Sequence, residues 1–200
     1  IGGTLPGDFI GRAKPEQADK LLDIARQKYA NWLEVFFWAP DDWGNLTPTA
    51  DRWYSGQASY LMEPGKIRRF IEAAHARGIK VVTYGKHIAC GPDGAELARR
   101  RPEWFRGVGG DVRQLDEWND DAARAKKGAV FSWQRYPVDF NRPDALAYGI
   151  RQIADSAKMF GWDGLRWDCG HLNPGPVYSK FSPFKDFYGK NQAETPEEMV

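Results

Sequence analysis

The sequence predicts an α/β domain in which parallel strands alternate with helices. Three times along the chain, a helical pattern that begins at a proline is followed by Gly or Asn and then by a short apolar run. Each run has the length of a strand and leads into a polar loop. Because strands that alternate with helices run in the same direction, we expect them to pair in parallel.

The first unit begins at Pro15, which suits a first helical turn because proline lacks the N–H that would stay unpaired there. Asn31 is expected to end this helix, and the apolar, aromatic run Leu33–Trp38 predicts a buried strand. The apolar face of the helix comprises Ala18, Leu21, Leu22, Ala25 and Tyr29.

The second unit begins at Pro64, and its helix is expected to be capped by Gly78. A strand is predicted over Ile79–Tyr84, where apolar and β-branched residues predominate. A short helix is expected over Ala95–Arg101, because Pro102 cannot continue it. The inward face of the first of these helices comprises Ile67, Phe70, Ile71 and Ala74.

The third unit contains the longest helical pattern, Pro143–Phe160, closed by Gly161 in the position where a left-handed residue commonly ends a helix. A short strand should follow at once. Because side chains alternate along a strand, Arg166 and Asp168 are expected to share one face at its carboxyl end.

Three other segments have weaker patterns. Residues 106–128, rich in glycine and charge, predict a long loop over one end of the domain. Ala129–Trp133 fits either a short strand or a loop packed down by its aromatic side chains. Thr195 followed by Pro196 predicts the start of a further helix.

Two architectures fit these alternating units, a doubly wound sheet and a (β/α)₈ barrel. No Gly-x-Gly-x-x-Gly follows a strand, which removes the main argument for a dinucleotide-binding sheet. Only three strands are evident, against the eight of a barrel of about 250 residues. We therefore expect the N-terminal part of a (β/α)₈ barrel. Residues 1–200 would form one catalytic domain that needs the remaining barrel sequence or a partner chain.

Composition narrows the classes of partner. The net charge of +1 gives no support for nucleic acid or an anionic membrane as partner, and no run of about 18 apolar residues could span a bilayer. Nine Trp, eight Tyr and eleven Phe offer aromatic faces on which sugar rings can stack. Two cysteines are too few for a disulfide framework, although Cys90 and Cys169 follow neighbouring strands and could be bonded to each other.

The candidate site is formed by the residues that follow the three strands, because parallel strands of a barrel end on one side. Carboxylates, histidines and an indole in an open depression at the carboxyl ends of the strands (an open bowl) suit the recognition of carbohydrate hydroxyls. Arg166 would hold Asp168 ionised, ready to act as a nucleophile or an electrostatic stabiliser. The complete set is Asp41, Asp42, Trp43, His87, Cys90, Arg166, Asp168, Cys169 and His171.

These residues also have plainer interpretations. Arg166 and Asp168 could form a structural ion pair, the two aspartates after the first strand could be turn and capping residues, and His87 could be an ordinary loop histidine. A metal site is a further alternative, although no recognised short spacing supports it. Its ligands would be His87, His171, Cys90 and Asp168.

Several segments resemble α-galactosidase-type barrel glycosidases. The family has Asp-Asp-Gly-Trp after one strand, His-Pro-Asp/Glu-Trp after the next, then Leu-Asp-Phe-Ser-Asn-Pro and finally Lys-Trp-Asp. Five segments of this chain look like these patterns or like the strand between the first two of them: Phe36–Gly44, Gly78–Tyr84, Glu96–Phe105, Val138–Pro143 and Arg166–Asp168. A second resemblance, of Asp163–Asp168, is to the α-amylase pattern Asp-Gly-Phe-Arg-x-Asp.

The Lys-Trp-Asp pattern of the α-galactosidases and the Asp-Gly-Phe-Arg-x-Asp pattern of the α-amylases both end on the catalytic nucleophile. The resemblance therefore implies a retaining hydrolase of α-linked sugars with Asp168 as nucleophile and no cofactor. Asp41, Asp42, Trp43, His87 and His171 would then bind an oligosaccharide or polysaccharide substrate. The general acid/base would lie on a later strand, beyond Val200. A non-catalytic carbohydrate-binding barrel and an unrelated metal-dependent barrel enzyme are the alternatives.

The chain departs from both patterns near the predicted site. The glycine between Asp42 and Trp43 is missing. Lys86 stands where α-amylases have the Asn of Asn-His, and Val82 stands where they have an earlier Asp. These departures make the resemblance more informative about the superfamily than about the substrate.

Overall fold

The computed structural model describes residues 2–55, 61–86, 88–105, 135–139, 142–168, 177–178 and 193–194. Its strands are β1 (Gly2–Pro6), β2 (Trp32–Phe36), β3 (Trp53–Tyr54), β4 (Leu61–Met62), β5 (Lys80–Lys86), β6 (Ile88–Cys90), β7 (Arg135–Pro137), β8 (Gly164–Asp168), β9 (Val177–Tyr178) and β10 (Ala193–Glu194). Its helices are α1 (Gly7–Arg12), α2 (Pro15–Gln27), α3 (Pro64–His75), α4 (Gly91–Arg100) and α5 (Pro143–Phe160), with a 3₁₀ turn at Pro102–Trp104.

A four-stranded parallel sheet organises these elements, in the order β1-β2-β5-β8. The shorter strands form antiparallel pairs: β3 with β4, β6 with β7 and β9 with β10. The chain crosses the sheet in one direction and returns each time through helical segments, as it does in part of a (β/α)₈ barrel. The predicted fold class is therefore confirmed, with a parallel sheet of four strands.

Strand β1 was missed by the sequence analysis. Its sequence, Gly-Gly-Thr-Leu-Pro, is poor in the residues that favour strands. It nevertheless pairs with β2 over its whole length, from Gly2 opposite Trp32 to Pro6 opposite Phe36. Pairing with an apolar, strongly strand-forming neighbour outweighs the weak local preference.

The helix bounds agree with the sequence in part. Helix α5 has the predicted bounds, and Gly161 adopts the left-handed conformation with φ of 86°. Helix α2 is shorter than predicted, because it ends at Gln27 and the chain turns left-handed at Tyr29. Helix α4 begins at Gly91 rather than Ala95. A proline in its first turn and Asp93 near the positive end of its dipole favour the earlier start.

The parallel sheet has two different faces. One face packs against the helices in an apolar core that includes Leu33, Val35 and Val81. The helical side of this core includes Leu22, Ile67, Phe70, Ile71, Ala74 and Phe160. Strand alternation places Glu34, Tyr84 and Arg166 on the opposite face, which we call the inner face.

A second apolar cluster lies beside the sheet and joins α4, β7 and the start of α5. Its largest members are Trp43, Trp104, Phe105 and Tyr136. The Asp144 carboxylate ties it together, because it accepts hydrogen bonds from Trp104 Nε1 at 2.8 Å and from the Arg101 guanidinium at 2.9 Å.

Gly149 in α5 leaves the space that the Trp43 indole fills. A Cβ at this position would lie 2.5 Å from Trp43 Nε1, inside a cluster where the indole is buried. Gly149→Ala should therefore lower the free energy of unfolding by about 1–3 kcal/mol in urea titrations, despite the higher helix propensity of alanine. The matched control is Gly65→Ala in α3, where an added Cβ meets no atom within 4 Å. Equal effects at the two positions would contradict this packing.

Several predicted elements lie outside the described residues: the loop 106–128, the segment Ala129–Trp133 and the helix start at Thr195. Within the described ranges, none of the helices is both long and apolar enough to cross a membrane.

Candidate active site at the carboxyl ends of the strands

The inner face of the sheet brings the ends of β5 and β8 together. In the β5–β8 register, Tyr84 lies opposite Arg166 and Lys86 lies opposite Asp168. Strand alternation puts position 168 on the same face of the sheet as Arg166. Because both strands end at the Lys86–Asp168 pair, this pair occupies the carboxyl edge, where parallel barrels carry their active sites.

Arg166 is held by a carboxylate that the sequence analysis missed. Its Nη1 lies 3.5 Å from Oε1 of Glu34, two strands away, and its guanidinium carbon lies 5.8 Å from the centre of the Tyr84 ring. The Glu34 side chain is only 4% exposed, whereas that of Arg166 is 47% exposed. Thr4 Oγ1 also donates to Glu34, at 3.4 Å. Arg166 therefore reaches across β5 towards a buried anion on β2.

A sequence signal for Glu34 did exist. It is the single charged residue of the apolar run Leu33–Trp38. A charge in a buried strand is costly unless it is paired. Such a residue therefore predicts a partner of opposite charge, but the sequence does not reveal that the partner is Arg166.

Asp41 is enclosed by backbone donors. Its side chain is fully buried, its Oδ1 accepts hydrogen bonds from the N–H groups of Trp43 at 3.2 Å and Cys90 at 2.9 Å, and its Oδ2 accepts one from Gly44 at 2.9 Å. Burial raises the pKa of Asp41 to about 7, against the opposing effect of these backbone hydrogen bonds. The carboxyl thus fixes the loop after β2 against the start of α4.

Asp42 forms a buried ion pair with Lys86. Lys86 Nζ lies 3.3 Å from Asp42 Oδ2, and the two side chains are 2% and 1% exposed. The Lys86 N–H also donates to the Asp42 carbonyl at 3.3 Å. Burial raises the pKa of Asp42, while the Lys86 ammonium acts to lower it. The pair ties the β2 loop to the end of β5, directly beside position 168.

The pKa of Asp41 predicts a specific dependence of stability on pH. Because about 7 lies above the ordinary value of 3.8, the folded state holds a proton at Asp41 that the unfolded chain has lost between these two pH values. The stabilisation from Asp41 is therefore complete below the lower value and is lost as the pH rises through the upper one. In urea titrations across this range, Asp41→Asn should flatten the decline seen in the wild type. Parallel curves for the two proteins would contradict the assignment.

Trp43 is buried as well. Its ring lies 6.1 Å from that of Trp104 and 5.5 Å from that of Tyr148, and its Nε1 has no hydrogen-bond partner among the described residues. Asp41, Asp42 and Trp43 thus lie together, but beneath the surface. The prediction that they contact sugar directly stays a prediction.

Cys90 is a free, buried thiol, so the possible bond to Cys169 is not formed in this structure. Its Sγ lies 3.7 Å from Asp41 Oδ1 and 3.8 Å from Asp42 Oδ2. Burial raises the pKa of this thiol well above its ordinary value. The thiol is therefore protonated and completes the packing of the aspartate pair.

The remaining predicted residues are not tested by this structure. His87, Cys169 and His171 and the side chain of Asp168 lie outside the described residues. Among the side chains that are described, no group of three or more His, Cys, Asp or Glu could hold a metal ion. The metal alternative depends on the histidines and stays a hypothesis.

Comparison with known proteins gives matches among solved structures alone. No protein-family model matches the chain, and no curated protein matches it. A cycloisomaltooligosaccharide glucanotransferase from a Paenibacillus species aligns with 94% of this chain and 26% of its own, at 15% identity and a TM-score of 0.64. A maltogenic α-amylase from Thermotoga neapolitana aligns with 87% of this chain and 40% of its own, at 17% identity and a TM-score of 0.56.

An α-galactosidase from Geobacillus stearothermophilus aligns with 100% of this chain and 24% of its own, at 12% identity and a TM-score of 0.53. These identities are too low to show more than a shared fold. The chain therefore shares its fold with part of each of these proteins, and it spans 26% and 40% of the first two chains it matches.

Proposed function

We propose that this chain is part of a glycoside hydrolase that cleaves α-linked sugars with retention of anomeric configuration, and that Asp168 is its nucleophile. One observation carries the proposal: position 168 ends a parallel strand on the inner face, beside Arg166 and in register with Lys86. The resemblance of Asp163–Asp168 to the nucleophile segments of two glycosidase families supports it. So does the similarity of fold to solved structures named as glucanotransferase, amylase and galactosidase.

The proposed reaction has two displacements. The Asp168 carboxylate attacks the anomeric carbon and forms a glycosyl ester, while the bond to the leaving oxygen breaks and that oxygen takes a proton from a second carboxyl group. The same group then removes a proton from water, which attacks the ester and releases the sugar with its original configuration. A retaining enzyme places the two carboxyl groups about 5–5.5 Å apart.

In this scheme Arg166 supplies a guanidinium near the nucleophile, and Glu34 determines where that guanidinium lies. The ion pair of Lys86 with Asp42 holds the ends of two strands in register. Because Asp41, Asp42 and Trp43 are buried, we propose that they serve the site through this support. Direct contact with sugar hydroxyls is assigned to residues of the open face, with His87 and His171 as candidates from the sequence.

The test is hydrolysis of a panel of aryl α-glycosides by the complete protein, with the first sugar product observed by NMR before it mutarotates. The proposal predicts hydrolysis in the presence of a chelator and an α-configured first product. Binding of sugars without hydrolysis would identify a carbohydrate-binding barrel instead. Activity that a chelator abolishes and a divalent metal restores would identify a metal-dependent enzyme.

A further inference from the structure

A polar groove lies outside the sheet, between α4 and α5. Its larger cavity has a volume of about 650 Å³, and its lining includes Arg100, Arg101, Trp104, Asp144, Tyr148 and Arg151. A second cavity of about 430 Å³ has Arg100 and Tyr148 in its lining as well, so the two cavities adjoin. Neither lining contains a residue of the inner face, and the groove is distinct from the proposed catalytic site.

The wall of the groove contains an aromatic ring held in one orientation. The Tyr148 hydroxyl donates a hydrogen bond of 2.7 Å to the Gly44 carbonyl. Its ring packs 5.1 Å from that of Trp104 and 5.5 Å from that of Trp43, centre to centre. A half-buried aromatic face that is already ordered costs little entropy on binding, and it suits the apolar face of a sugar ring.

The larger cavity has an excess of positive charge. Asp144 is the single acid among its described lining residues, and its hydrogen bonds from Arg142 and Trp104 hold the pKa of that carboxyl well below its usual range. Its charge is therefore already compensated. Arg100 is 66% exposed, and its contact of 3.6 Å with Glu96 is an exposed pair of little strength. Arg151 is exposed and makes no ion pair within the described part of the chain.

The lining of the smaller cavity contains the acids Asp93 and Glu96 beside Arg100, so the excess of positive charge is confined to the larger cavity. The smaller cavity also offers a neutral hydrogen-bonding group. Gln152 Oε1 accepts hydrogen bonds from the Leu46 N–H at 3.0 Å and from Thr47 Oγ1 at 3.2 Å. This arrangement fixes the amide and turns its NH₂ group away from these partners, so that it can donate to a ligand. A fixed amide beside a fixed aromatic ring can recognise a hydroxyl and a ring face of the same sugar.

We propose that this groove binds an acidic oligosaccharide, one that carries carboxylate or sulfate groups. The Tyr148 ring contacts a sugar face, the Gln152 amide binds a hydroxyl, and Arg100 and Arg151 bind the acidic groups. Guanidinium forks are suited to this task, because they form two parallel hydrogen bonds to a planar or tetrahedral oxyanion. The proposed ligand contacts are separate from the inner face of the sheet, since the four residues that make them lie on α4 and α5.

The test uses calorimetric titration of the complete protein carrying Asp168→Asn, which prevents turnover of the probe without changing the groove. The probes are a tetramer of galacturonic acid, the same tetramer fully methyl-esterified, a sulfated carrageenan tetrasaccharide and inorganic sulfate. We expect at least one acidic tetrasaccharide to bind, and the esterified tetramer and inorganic sulfate to bind at least about tenfold more weakly. The acid that binds more tightly distinguishes a carboxylated from a sulfated ligand.

The test variant is Arg100→Gln with Arg151→Gln, and it should weaken binding by at least about tenfold. The matched control is Arg99→Gln with Lys158→Gln, which removes the same charge from the same two helices at positions that are 64% and 81% exposed and outside the groove lining. Its affinity should stay within about threefold of the parent. The absence of binding by both acidic tetrasaccharides, or equal losses in the two double variants, would overturn the proposal. Neither result bears on hydrolysis, which is measured separately.

Discussion

Asp168→Asn in the complete protein should lower kcat by several orders of magnitude while substrate binding survives. An amide cannot form the covalent glycosyl ester, but the groups that contact the sugar stay in place. Asp168→Gly should leave room for azide, which could attack the anomeric carbon in its place. With an activated aryl glycoside, azide should restore turnover and give a glycosyl azide of inverted configuration, because one displacement replaces two.

The control for this prediction is Asp163→Asn. Asp163 Oδ2 accepts hydrogen bonds from the Val81 N–H at 2.8 Å and from His75 at 2.7 Å, on the outside of the sheet. Its substitution should lower stability and leave kcat nearly unchanged. If Asp168→Asn keeps the wild-type kcat on a glycoside that the intact enzyme hydrolyses, the nucleophile is another residue. Loss of kcat in both variants would indicate damage to the fold.

Lys86→Met should lower the free energy of unfolding by about 3–5 kcal/mol, the second large effect expected in this protein. The substitution leaves the Asp42 carboxylate buried without its ammonium partner. Urea unfolding measures the loss. Removal of the cation raises the pKa of Asp42 further, so the loss should shrink as the pH falls and the carboxyl becomes neutral.

Two variants check the cause of that loss. Lys86→Met combined with Asp42→Asn removes both charges of this pair and should recover a large part of the stability. Lys158→Met removes a lysine that is 81% exposed and lies 3.7 Å from Asp155. It should change the free energy of unfolding by less than about 1 kcal/mol. A loss for Lys86→Met as small as this would show that the buried pair contributes little.

Local sequence signals suffice for the helix that begins at Pro143, and they fail for β1. The helix from Pro143 to Phe160 was predicted with its correct bounds, because proline, the apolar spacing and Gly161 all favour the same local structure. Strand β1 was missed, because its glycines and proline favour no strand and its pairing with β2 is a tertiary interaction.

The burial of the candidate site residues could not be predicted from such local signals. Asp41 and Asp42 were expected in an open bowl, yet both are buried. The early start of α4 explains the burial of Asp41, since this helix packs Gly94 against it, with 3.4 Å between Oδ2 and the position of an added Cβ. Asp42 is buried together with its partner Lys86. No local pattern distinguishes a loop aspartate covered by a helix from one that faces solvent.

The sequence by itself determined the alternation of helices and strands, and hence the edge at which Arg166 and Asp168 lie. These properties depend on the spacing of apolar residues and on turn residues a few positions apart. The tertiary structure alone decided the partners of the charged groups: Glu34 for Arg166 and Asp42 for Lys86. These partners are 132 and 44 positions apart in the chain. They meet because the strand register brings them together and because burial makes an unpaired charge too costly to keep.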